Sequence, residues 1–131
     1  MRDQDEAILH EILRRGDGFG HRQHVELAWR YLGIHGFERA ADTMGEAIRQ
    51  MAIAHGQPGK YHETMTRAWA RCVAVHKQRW PGETFAEFLD LNPGLLDSAL
   101  LTHFYSPERL RTSAARQSYV EPDLRPLPSL D

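Results

Sequence analysis

Residues 37–55 read FERAADTMGEAIRQMAIAH. Phe37, Ala40, Ala41, Met44, Ala47, Ile48 and Met51 recur at spacings of three and four, which gathers them on one face of an α-helix. His55 closes that stripe, and Gly56 stands where a helix stops. Gly45 lies inside the helix at a cost of about 1 kcal/mol relative to alanine, and marks a place where a neighbour can approach closely.

The same periodicity appears on either side. A helix expected from about His21 to Ile34 carries His21, His24, Leu27, Ala28, Tyr31 and Leu32 on one face. Another, from about Tyr61 to Arg79, carries His62, Met65, Trp69, Cys72, Val73 and His76. Further out, residues 4–15 make a short amphipathic helix with Ile8, Ile12 and Leu13 inward. Thr84 followed by Glu87 is a capping box that opens a fifth helix. Asn92-Pro93 and Ser106-Pro107 pair a capping residue with a proline at the first helical position, predicting short pieces that reach about Gln117. Pro122, Pro126 and Pro128 make the rest extended. No period-two strand pattern and no internal repeat is present. The expected fold is all-α: an antiparallel helical bundle with extra short C-terminal helices and an extended Pro-rich tail over 118–131, in one domain of residues 1–131.

The bulk chemistry excludes several partners. Sixteen basic and 18 acidic side chains leave a formal charge of −2 over 131 residues, with the basic residues scattered, so no nucleic acid is expected. Cys72 is the only cysteine, which rules out an intrachain disulfide and suits a reducing compartment. MRDQDEAILHEILRR lacks an apolar run of signal length, and no stretch approaches the roughly 20 apolar residues a membrane span needs. A cytoplasmic protein with no membrane partner is expected. Its oligomeric state is not legible.

The chain has eight histidines, and their placement points to chemistry. If the three long helices alternate in direction, the start of the first, the end of the second and the start of the third meet at one end of the bundle. His21, His24, His55, His62 and Glu63 then converge. His35 and His76 lie about 21 Å away at 1.5 Å rise per residue, and Cys72 about 15 Å up its helix. Inward-facing imidazoles need compensation for lost water. A divalent metal supplies it, with neutral imidazole and carboxylate as ligands, and a nitrogen and oxygen set suits zinc or iron. With an open coordination position the centre would be a small metal-dependent enzyme acting on a small-molecule substrate. Glu63 would be general base if it is not itself a ligand, and Tyr61 a proton donor or substrate contact. His62-Glu63 does not complete H-E-x-x-H, because Thr66 occupies the second histidine position.

Each residue also has a plain structural explanation. His24 can bond a backbone carbonyl, His55 suits a helix C-terminus, and Glu63 suits a helix N-terminus. The alternative reading is therefore a non-enzymatic interaction or regulatory module with structural histidines. A further reading places a haem on one of them. The runs HRQHVELAWRYL, KYHETMTRAW, LLTHFYSPERL and YVEPDLRPLP together resemble a group of small, all-helical bacterial proteins marked by a KYHET-type motif. The resemblance covers roughly residues 20–128. It implies no activity and carries over no functional residue.

Overall fold

The structure is a computed structural model that describes residues 3–131, and every regular element among them is helical. The α-helices are α1 (Asp3–Arg14), α2 (His21–Leu32), α3 (Phe37–Ala54), α4 (Glu63–Arg79), α5 (Phe85–Leu91), α6 (Pro107–Leu110) and α7 (Ser113–Gln117). Short 3-10 turns occupy Pro58–Lys60, Pro93–Leu96 and Leu100–His103. No described helix is long and apolar enough to cross a membrane.

Local chemistry explains most boundaries. Thr84, Ser106 and Thr112 each accept a backbone N–H from three residues on, from Glu87, Arg109 and Ala115 respectively, and so cap α5, α6 and α7. The helix expected through Gln117 is consequently two, because Thr112 caps a new helix where the first would have continued. Helix α4 begins at Glu63 rather than Tyr61, since the His62 ring accepts the Met65 N–H and takes the cap position. Asn92 does not cap a sixth helix. Its amide donates to the Trp80 and Phe88 carbonyls and its oxygen accepts from His76, so only a 3-10 turn follows. Gly82 has φ +63°, and a Cβ there would lie 2.7 Å from the Phe88 nitrogen; only glycine fits this corner.

Helices α2, α3 and α4 pack on one another. Between α3 and α4, the Arg71 guanidinium lies over Phe37, Arg67 bonds Asp42, and Gly45 lies against Tyr61 and Glu63. Between α2 and α4, the His21 ring packs at a tilt against Trp69 and Lys77 donates to the Trp29 carbonyl. One cluster of buried side chains joins Ile12 of α1, Leu27 and Tyr31 of α2, Met44 of α3 and Val73 of α4. Phe88, Leu95, Leu101 and Tyr105 complete it from the C-terminal third. Burying a side chain of this kind stabilises by roughly 1.5–3 kcal/mol. α5 and the 3-10 turns after it are thus part of the core, and Leu110 of α6 packs against it.

The segment after α7 lies along the body. Thr64 donates to the Ser118 carbonyl and accepts the Val120 N–H, Tyr105 donates to the Val120 carbonyl, and the Leu124 N–H meets the Phe104 carbonyl at 2.9 Å. Asp123 accepts both the backbone N–H and the hydroxyl of Ser106.

Candidate functional site

The run Lys60-Tyr61-His62-Glu63-Thr64 is where most of the molecule meets. His62 is buried and uses both ring nitrogens: Nδ1 accepts the Met65 N–H at 3.1 Å, and Nε2–H donates to the Leu110 carbonyl at 2.8 Å. These bonds require the neutral ring with its proton on Nε2. Glu63, beside it, accepts from the Tyr61 hydroxyl and from Arg67 Nε at 2.8 Å, with Arg49 at 3.8 Å. Thr64 holds the C-terminal segment. Arg116 of α7 reaches the Gly59 carbonyl at 2.8 Å. A histidine and a glutamate stand side by side at this helix start because one caps it and ties it to α6, while the other anchors a tyrosine and an arginine.

The remaining predicted ligands are placed as follows. His21 packs against Trp69 with the rings tilted and their centroids 4.4 Å apart, and its Nε2–H donates to the Leu95 carbonyl at 2.8 Å. Half-buried His24 packs on Phe19 and donates Nδ1–H to the Gly20 carbonyl at 2.7 Å. Exposed His55 bonds the Met51 carbonyl of its own helix at 2.8 Å. His21, His24 and His62 line one cavity of about 290 Å³ with Tyr61 and Lys60. His55 lies outside it, on an adjoining hollow that shares His24, Lys60 and Tyr61. Glu63 lines a third recess, with Asp42, Glu46, Arg49 and Arg67. The three inward imidazoles are together; Glu63 and His55 are not with them. Among the described residues no group of three or more His, Cys, Asp or Glu side chains is arranged to hold a metal ion.

The electrostatics constrain the chemistry further. Burial holds the His24 pKa below the usual histidine value, against the Gly20 bond that favours the charged ring. Its Nε2 therefore presents a lone pair at neutral pH. Burial pushes the Tyr61 hydroxyl up to about 12, and the Glu63 carboxylate adds to the effect. Burial works against the charged form of Glu63, but the Tyr61 hydroxyl and Arg67 outweigh it and hold the pKa low. A carboxylate held ionised is a feeble base, and a tyrosine with so raised a pKa gives up its proton reluctantly. Burial also raises the Cys72 thiol to about 12, so it carries no thiolate chemistry.

The rest of the cavity wall was missed as such. Met44, Ile48, Met65 and Trp69 line it, yet a helical stripe marks them only as inward-facing. Periodicity does not separate a side chain packed against another from one that faces a void. Lys60 carries no signal beyond its neighbourhood to the turn. No family model, no curated protein and no solved structure matches this chain.

Proposed function

We propose that this protein is a binding module for a small, largely apolar molecule. The ligand enters the cavity between α2, α3 and α4, taken as an antiparallel bundle, beneath the Lys60–His62 turn. One observation carries the reading: a cavity of about 290 Å³ whose apolar wall of Met44, Ile48, Met65 and Trp69 is interrupted by His21, His24, His62 and Tyr61. Cavities of this size and composition, with polar groups few and convergent, are the usual form of a small-molecule site. His24 Nε2 would accept a hydrogen bond from the ligand, and Lys60 would meet an acceptor at the mouth. The other histidines serve structure, through their bonds to the Leu95 and Leu110 carbonyls. The low-pKa Glu63 and committed Tyr61 favour binding over catalysis.

The test is an NMR titration of methyl-labelled protein with indole and with octanol. Saturable shifts at the Met44, Met65 and Ile48 methyls are expected, and Ile48→Trp should abolish them by filling the space. Methyls that stay still under both probes would sink the reading.

A metal-centred version has its own supporting observation. His21 and His24 each give one ring N–H to a backbone carbonyl, the arrangement that orients metal-bound imidazoles. His21 Nδ1 and His24 Nε2 would then take zinc or iron, with solvent or substrate filling the remaining positions. Zn²⁺ should raise the melting temperature of the native protein and leave His24→Gln unmoved. Equal response of both, or none, removes this version.

A further inference from the structure

A separate groove of about 410 Å³ runs between the C-terminal segment and the α3–α4 pair, with Phe37, Arg71, Tyr119, Pro126 and Leu127 in its walls. Two guanidiniums border it, and they differ. Arg67 is engaged by Glu63, Asp42 and, at 4.0 Å, Glu38. Arg71 bonds no acceptor among the described residues, and its Nε is buried without a partner. Its guanidinium instead lies over the Phe37 ring, 4.9 Å from the centroid. The Nε is closed off from the groove, so what Arg71 offers a groove ligand is its outer Nη1 and Nη2, which keep accessible surface and bond no acceptor.

We propose that this groove binds a small monocarboxylate with a flat apolar body. The planar fork of Arg71 suits a carboxylate, which accepts two parallel N–H bonds from it. Phe37, Tyr119 and Leu127 offer the surface against which the body lies. The charge balance narrows the class. Glu38 and Glu121 also border the groove, so two guanidiniums face two carboxylates. A multiply charged anion such as phosphate meets as much repulsion as attraction there. A single negative charge on an apolar frame meets Arg71 and keeps its distance from both glutamates.

The experiment is a ¹H–¹⁵N NMR titration of the full chain with 3-phenylpropionate, 3-phenylpropionamide and inorganic phosphate. The acid should give saturable shifts centred on Phe37, Arg71, Tyr119 and Leu127. The amide should bind at least tenfold more weakly, and phosphate should give no saturable shift. Arg71→Gln should weaken the acid at least tenfold. Arg71→Lys, which keeps the charge but loses the fork, should fall between. If Arg71→Gln does not fold, the acid-to-amide comparison on the native chain decides alone. The proposal is overturned if acid and amide bind alike, if phosphate binds as well as the acid, if the acid gives no saturable shift, or if the shifts centre on His24 and Met65.

Discussion

A Cβ on Gly45 would sit 2.7 Å from the Tyr61 hydroxyl oxygen. Tyrosine is too stiff to yield without leaving Glu63, whose carboxylate it holds. Gly45→Ala should gain about 1 kcal/mol of helix propensity and lose about 1–3 kcal/mol to overpacking, for a net destabilisation of up to about 2 kcal/mol. Urea unfolding measures it. Adding Tyr61→Phe removes the clashing oxygen, so Gly45→Ala should become neutral or stabilising in that background. A stabilising effect in the native background would show that the approach is not tight. The sequence marked Gly45 as a point of close approach because glycine inside a helical stripe is otherwise unfavourable. That Tyr61 makes the approach was not legible, since the two residues belong to different elements.

At the start of α4, His62 does two things that substitution can separate. His62→Ala loses both the cap, worth about 1 kcal/mol, and the bond to Leu110. His62→Asn restores a capping oxygen but is too short to reach α6. Denaturation midpoints should rank native above Asn above Ala, with the alanine variant down by about 1–3 kcal/mol. If Asn and Ala are equal, the cap contributes nothing. Thr64 joins another pair of elements. Thr64→Val keeps the shape and removes the hydroxyl that bonds Ser118 and Val120. The Val120 amide should then exchange faster with deuterium while α3 amides stay protected. Unchanged exchange at Val120 would mean that the segment is held by its apolar contacts alone.

Across the whole molecule, stability should fall on mild acidification. The folded pKa of His24 lies below its ordinary 6.5, so the unfolded chain takes up a proton first. This contribution is fully present above pH 6.5 and is lost as pH falls through the lower folded value. Glu63, whose pKa is depressed from 4.5, acts in the same direction at lower pH: its contribution is present above 4.5 and is lost as pH falls through the folded pKa. Unfolding free energies measured between pH 8 and 4 should decline, and His24→Gln should flatten the upper part of the decline. An identical slope in that variant would remove His24 as a cause.

The sequence by itself determined that the chain is helical and where most helices begin. Periodicity and capping act within a few residues, so they are written in neighbouring letters: the 37–55 stripe, Thr84 before Glu87, Ser106 before Pro107. Tertiary structure decided what each inward side chain meets. The partner of His21 is a carbonyl 74 residues away and that of His62 is 48 away. Only the packing of the C-terminal third against α2 and α4 brings those carbonyls to the rings. Histidine on an apolar face announces a need for a polar partner, but a ligand and a backbone oxygen satisfy that need alike. The choice between them belongs to chain geometry beyond the reach of any local pattern.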